Sequence, residues 1–198
     1  MQFINNIILS LALNAKGYKN FGNFTETGEK NFLKLINKDL KISIDIGANV
    51  GKYTQLLLSE TNSKIISFEP LKKAFDELKN IESKYPDRLK VFNCALGDKN
   101  TSLELNYSDE KSEKATFIKD IEKLSFFDHQ KNKKIITEIK TLDSFFLENK
   151  NLFDTKEIDL IKIDTEGFEL EVIFGAKDTI KRKSPKYIQL EFNWHQLF

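Results

Sequence analysis

The stretch Ile42-Ser43-Ile44-Asp45-Ile46-Gly47-Ala48-Asn49-Val50-Gly51-Lys52-Tyr53-Thr54 decides the fold of this chain. Ile42, Ile44 and Ile46 alternate as in a strand, two glycines follow within five positions, and Tyr53, Leu56 and Leu57 then recur at helical spacing. A change of period from 2 to 3.6 across a glycine turn is a strand–loop–helix unit. The unit repeats: residues 64–69 form a second strand closed by Pro70, and Leu71, Phe75, Leu78 and Ile81 mark one face of a helix.

Working outward, a third strand is expected over residues 89–95. After a turn at 97–100, Leu103, Leu105 and Tyr107 alternate like a half-exposed strand. Order returns at 135–141, before a short helix that Asp143 or Ser144 can cap. Residues 158–164 suit a central strand, 169–180 a helix and 187–192 a last strand. Strands alternating with helices predict an α/β fold, a doubly wound, mostly parallel sheet with helices on both faces. Residues 108–134 are rich in charge, with Phe117, Ile121, Phe126 and Phe127 scattered among them, and read as a solvated helix or a lid over a site.

With 198 residues the chain has room for one domain, over 41–198, preceded by a helical segment at 1–40. Its start holds Ile7, Ile8, Leu9, Leu11 and Leu13 but lacks a basic opening, a cleavage site and the length of a membrane span, so it reads as a packing or interfacial helix, with packing on the core favoured, and not as a transmembrane segment. A 40% hydrophobic content with 17 Phe excludes disorder. Thirty-one basic against 30 acidic residues leave +1, with no field to attract nucleic acid. All the basic residues but Arg88 and Arg182 are lysines, which reads as coding bias. A single cysteine, Cys94, excludes an internal disulfide and fits the cytoplasm.

Ligands of α/β sheets bind beyond the carboxyl ends of the strands. Those ends are polar here: Asp45 to Gly51, Glu69, Asn93 to Asp98, Asp164 to Gly167, and Glu191 to His195. Gly47 and Gly51 allow a tight turn and close approach of a ligand, and Asn49 tolerates positive φ. The loop matches neither G-x-G-x-x-G nor a P-loop, which disfavours a pyrophosphate and puts a nicotinamide oxidoreductase far behind. Asp45 repels phosphate but suits an ammonium group. Glu69, 18 residues beyond Gly51, stands near the offset at which an acid meets ribose hydroxyls. A nucleoside with a cationic tail fits both.

These residues resemble the FkbM-type S-adenosylmethionine-dependent methyltransferases. The resemblance covers about residues 41–193 and rests on Ile44 to Thr54, Phe68-Glu69-Pro70, Ala95-Leu96-Gly97-Asp98, Thr141-Leu142-Asp143, Ile158 to Gly167 with Glu169, and Gly175-Ala176. It implies a class I methyltransferase, Rossmann-like fold with S-adenosyl-L-methionine as cofactor. In it Asp45, Gly47, Asn49 and Gly51 hold the methionine part, Glu69 holds the ribose, and residues 93–96, including Asn93, Ala95 and Leu96, lie by the adenine. Ala48, Tyr53 and Pro70 belong to the same implied cofactor site. The family mostly methylates hydroxyls, so the implied reaction is O-methyl transfer to a sugar, a glycolipid precursor or a related natural product.

Such transfer asks the protein to position an oxygen and take its proton. Asp164 is the first candidate for this base, Glu166 the second and His195 the third. Each has a plainer reading: Asp164 can cap the helix beginning near Gly167, Glu166 and Glu169 can stabilise its positive end, and His195 and Trp194 can simply close the core. Cys94 reads as a small core residue and His129 as solvated. Lys162 alternates with Ile161 and Ile163; it either faces solvent or, in a central strand, needs a partner. No ligand spacing demands a metal. The fold normally continues for two more strands, whereas this chain stops at Phe198. That predicts a sheet lacking its last two strands, with an apolar edge at 188–192 that belongs to a fragment or to an interface such as a homodimer. The alternative function is a noncatalytic binding or assembly module derived from a methyltransferase.

Overall fold

Three isoleucines of the opening strand face one side of the sheet, and Ser43 and Asp45 face the other. In the computed structural model, which describes residues 28–109, 115–118, 132–150, 152 and 157–191, all five residues of β1 (Ile42–Ile46) are buried, as befits a strand covered on both faces. Beside it lie β2 (Lys64–Phe68) and β3 (Leu89–Phe92) on one flank, and β7 (Leu160–Ile163) and β8 (Tyr187–Leu190) on the other. The order β3-β2-β1-β7-β8 is parallel throughout. The expectations placed on residues 1–14, Ile121, Phe126, Phe127, His129, Phe192, Trp194 and His195 lie outside the described residues.

Helices α1 (Gly28–Ile36), α2 (Lys52–Glu60) and α3 (Lys72–Glu82) cover one face, where Leu33, Ile36, Leu57 and Leu78 pack on Ile65, Leu89, Val91 and Leu160. On the other face, α4 (Leu142–Glu148) and α5 (Glu169–Phe174) pack Leu142, Phe145 and Val172 on Ile44, Ile46, Phe68, Ile161 and Ile163. The sheet is doubly wound, as the alternation predicts.

Three expected elements are corrected. The third strand does not run over 89–95: it stops at Phe92, and Ala95–Leu96 form a separate β4 that joins β5 (Thr101–Tyr107) and β6 (Lys133–Lys140) in a second sheet of order β4-β6-β5. The reason is local, since Asn93 turns its amide onto the carbonyls of Glu69 and Pro70, 2.9 Å each, and bends the chain between the sheets. The cap of α4 is neither Asp143 nor Ser144 but Thr141, whose Oγ1 accepts from the Ser144 N–H at 3.0 Å, because the cap must precede the first turn. The helix expected over 169–180 is two helices, α5 and α6 (Lys177–Lys183), broken at Gly175-Ala176. Asp143 caps the second, accepting from the Asp178 and Thr179 amides at 3.0 and 2.6 Å.

The break exists because Gly175 presses on Gly97. A Cβ at Gly175 would lie 1.8 Å from the Gly97 carbonyl oxygen, and backbone cannot yield that far. Gly175→Ala is therefore expected to lower stability by about 2–3 kcal/mol, read as a fall in the urea midpoint; an unchanged midpoint would show that the two loops are not in contact.

Candidate functional site

The loop after β1 is a backbone structure. Gly47 (φ 79°), Asn49 (φ 49°) and Gly51 (φ 85°) all take left-handed conformations, which only glycine and asparagine adopt cheaply. The Gly47 and Ala48 amides both donate to the Phe68 carbonyl, at 3.1 and 3.0 Å, so the loop folds over the end of β2. A Cβ on Gly47 would meet the Asp164 carbonyl oxygen at 1.8 Å, and one on Gly51 would meet Leu78 and Ile81 at 2.7 Å. Both glycines thus serve close packing inside the protein: one docks the loop on the end of β7, the other docks α2 on α3.

Glu69, at the end of β2, holds the loop from the opposite side. It is 5% exposed, and its carboxylate accepts from the Asn49 N–H (2.8 Å) and the Leu71 N–H (2.7 Å), one on each oxygen. Each oxygen keeps a second acceptor position, the chemistry a vicinal diol requires. Burial pushes this carboxyl up to about 7, against the two amides that pull it down.

Beneath α2 runs a belt of polar side chains that crosses the sheet in register: Ser67 on β2, Asp45 on β1, Lys162 on β7 and Gln189 on β8. Thr54 of α2 donates to Asp45 Oδ2 at 2.7 Å and lies 2.8 Å from Ser67 Oγ. Lys162 Nζ sits 2.9 Å from Asp164 Oδ2, 4.0 Å from Asp45 Oδ1 and 4.9 Å from the centre of the Tyr53 ring. The Tyr53 hydroxyl donates to Gln189 at 2.6 Å, and Gln189 donates to Glu29 of α1 at 3.3 Å. Burial pulls the Lys162 ammonium down, but Asp45 and Asp164 outweigh it and hold it above the ordinary lysine range. Asp45 is wholly buried; burial raises its carboxyl, and its Oδ1 has no hydrogen-bond partner.

Past β7 the chain makes the turn 164–168. The Asp164 N–H donates to the Ile46 carbonyl at 3.0 Å, and its side chain is 23% exposed. Glu166 (φ 53°) offers its carbonyl to Thr116 Oγ1 at 2.7 Å, and Gly167 (φ 102°) follows. Neither Asp164 nor Glu166 caps α5. The helix has no side-chain cap; Glu169, 7% exposed, instead turns its carboxylate back onto the preceding turn, accepting from the Thr165 amide at 2.8 Å and the Gly167 amide at 3.1–3.2 Å.

The structure therefore brings Gly47, Ala48, Asn49, Gly51, Glu69, Pro70, Asn93 and Asp164 around the carboxyl ends of β1, β2, β3 and β7. It does not bring Tyr53 there: the ring is 3% exposed and lies in the belt. Ala95 and Leu96 are buried in the second sheet, and Cys94 is a core residue whose thiol burial pushes up to about 12. Lys162 does not face solvent; it has the partners a central strand demands. The belt residues Thr54, Ser67, Gln189 and Glu29 were not singled out by sequence; for Ser67 and Gln189 the signal is a polar residue at the same depth in successive strands, which needs the register to be seen, and Thr54 and Glu29 join them from helices α2 and α1. Among the described residues no three metal-ligating side chains converge, and no helix is long and apolar enough to cross a membrane.

A doubly wound sheet with a glycine loop after β1, an acid after β2 and a second carboxylate after β7 is a Rossmann-like α/β arrangement. Residues 45–198 match the Methyltransferase FkbM domain, and the chain belongs to that family. It is 27% identical over 151 residues to Methyltransferase 1 of Beauveria bassiana (strain ARSEF 2860), a match covering 68% of this chain and 58% of that protein. It is 26% identical over 156 residues to Methyltransferase sdnD of Sordaria araneosa, covering 68% and 60%. The chain thus spans about three-fifths of the length of these curated relatives.

Glu69 gives a pH dependence of defined sign. Its carboxyl is raised from 4.5 to about 7, so between those values the folded state binds more protons than the unfolded and stability falls as pH rises. Its share is at most about 3 kcal/mol. Urea unfolding between pH 4.5 and pH 8 is expected to show a shallower loss of stability in Glu69→Gln than in wild type; identical slopes would mean that Glu69 titrates normally.

Proposed function

We propose that this chain is an S-adenosylmethionine-dependent O-methyltransferase whose acceptor is a hydroxyl of a sugar, a glycolipid precursor or a related natural product. The observation that carries the reading is the clamp on the glycine loop: Glu69 grips the Asn49 amide from β2 while Gly47 rests on the Asp164 backbone from β7. One loop is thereby fixed between a diol-binding carboxylate and a carboxylate able to take a proton. The residues fit the cofactor chemically. Glu69 retains an acceptor position on each oxygen for the ribose hydroxyls, while the charge of the buried Asp45 is met inside the protein by Lys162.

When bound, the cofactor supplies a methyl group already activated on a sulfonium. What is left to the protein is orientation and proton removal. The Gly47–Gly51 backbone and Glu69 orient the nucleoside, and Asp164 takes the proton of the acceptor hydroxyl. Glu166, one turn position further, orients that acceptor. Cys94, single and buried, supports a reducing cytoplasmic setting. Ile188 and Leu190, 41% and 46% exposed on β8, support pairing of that edge with another strand.

Calorimetric titration tests the reading. Wild type is expected to bind S-adenosylmethionine and S-adenosylhomocysteine with a Kd of about a micromolar. Glu69→Ala should weaken both by a factor of about 100 or more, two charge-assisted hydrogen bonds of about 1.5–3 kcal/mol each being lost. A folded wild-type chain that binds neither ligand would refute the cofactor assignment, and binding without turnover of any hydroxyl acceptor would favour the noncatalytic module.

A further inference from the structure

Residues 115–118 join the second sheet to the turn that carries Asp164 and Glu166. Thr116 pairs with Asn106 of β5 through both backbone hydrogen bonds, 2.9 Å each, and is 1% exposed. Its hydroxyl, placed by that pairing, donates to the Glu166 carbonyl at 2.7 Å and accepts from the Ile118 N–H at 3.1 Å. One residue on, the Phe117 ring packs on the Phe168 ring at the far end of the same turn, with 4.9 Å between centres. Phe168 can stand there because Gly97, just after β4, leaves it room: a Cβ on Gly97 would meet the ring at 2.8 Å. Phe117 also packs on the cluster of Leu71, Ala74, Leu105 and Tyr107, against which Val50 of the glycine loop rests. This short strap therefore holds the turn after β7 at two points and shares a packing cluster with the glycine loop.

The turn needs such a hold. Glu166 has φ 53°, a left-handed conformation that glutamate keeps only where its surroundings impose it, and Gly167 follows at φ 102°. From within, the Glu169 carboxylate fixes the Thr165 and Gly167 amides; from outside, Thr116 fixes the Glu166 carbonyl. The clamp on the glycine loop is built separately, from Glu69 and the Asp164 carbonyl. We propose that Thr116 is a positioning residue for the acceptor: by pinning the Glu166 carbonyl it holds the turn so that Asp164 and Glu166 stand where the acceptor hydroxyl must come, and it leaves the grip on the cofactor untouched. This rests on the function proposed above.

Thr116 takes no part in the proton transfer. Its hydroxyl hydrogen is committed to the Glu166 carbonyl, so what it contributes is geometry, on which the rate of a positioned reaction depends steeply. Without that hydroxyl the carbonyl is released, Glu166 can return to right-handed backbone, and the two carboxylates move with it. Valine at 116 keeps the shape of threonine and the backbone pairing with Asn106 but removes the hydroxyl, whereas serine keeps the hydroxyl and removes only a methyl group.

The test compares the full chain as wild type, Thr116→Val and Thr116→Ser by amide hydrogen exchange, by calorimetric binding of S-adenosylmethionine, and by S-adenosylhomocysteine release with methyl hexosides. In Thr116→Val the Thr165 and Gly167 amides are expected to exchange faster by about tenfold or more, while those of β1 and β7 keep their rates. S-adenosylmethionine should bind within about twofold of wild type, and kcat should fall by about tenfold or more. Thr116→Ser should bring both the exchange rates and kcat back toward wild type. Unchanged exchange in Thr116→Val overturns the proposal, as does an unchanged kcat. So does a loss of kcat that comes with an equal loss of cofactor affinity, with faster exchange in β1 and β7, or without recovery in Thr116→Ser, since a merely structural residue gives that pattern. Failure of the wild type to bind the cofactor would instead overturn the methyltransferase reading, and this role with it. A wild type that binds the cofactor but methylates no hexoside overturns the sugar acceptor alone, and the exchange rates of the two variants then decide whether Thr116 holds the turn.

Discussion

An ammonium buried in the middle of a parallel sheet costs several kcal/mol unless its charge is met, and Lys162 is such a group. It occupies the strand next to β1 and is 4% exposed. The sheet accommodates it by placing carboxylates on both sides, Asp45 across the ladder and Asp164 two residues along. Much else follows from that. Asp45 requires a hydroxyl donor on its other oxygen, which Thr54 supplies and which fixes the roll of α2. The aromatic face beside the ammonium is Tyr53, one residue earlier on the same helix, whose hydroxyl must then find Gln189. The rotation of α2 on the sheet is thus set by polar contacts, and its leucines fill the space that remains.

The loop between β1 and α2 inherits its position from this arrangement. Gly47 can rest on Asp164 only because the Asp164 backbone is held by the Ile46 carbonyl while its side chain is drawn back to Lys162. Glu69 closes the other side. The binding loop is therefore framed by two carboxylates of different character. One is buried, saturated by amides on one lone pair of each oxygen, and rigid. The other is partly exposed and paired with the Lys162 ammonium.

The parallel, doubly wound character of the central sheet was legible from the alternation of strands with helices, and the binding end from apolar runs that close in residues with no packing reason to be there: Gly47, Glu69, Asp164. The loop was legible for the same reason, since two glycines and an asparagine in five positions announce left-handed backbone. What escaped was anything that depends on contacts between distant segments. The bend at Asn93 needs the Glu69 and Pro70 carbonyls, and the break at Gly175 needs Gly97; neither partner is near in sequence. The side chain of Tyr53 lies in the belt, as the helical periodicity of Tyr53, Leu56 and Leu57 implies for a residue on the buried face of α2. Lys162 stood out as a charge between two isoleucines, but only the register with Asp45 decided between solvent and a buried pair.

The most direct measurement is a double-mutant cycle on the buried pair, by urea unfolding of Lys162→Met, Asp45→Asn and the two combined at pH 7. Removing the ammonium alone leaves Asp45 without a cation and is expected to cost about 3–5 kcal/mol. Neutralising Asp45 in the same molecule should restore a large part of it, so that the double variant is more stable than Lys162→Met. If Lys162→Met unfolds like wild type, or if the two losses simply add, the charge at the centre of the sheet does not organise the loop and the site.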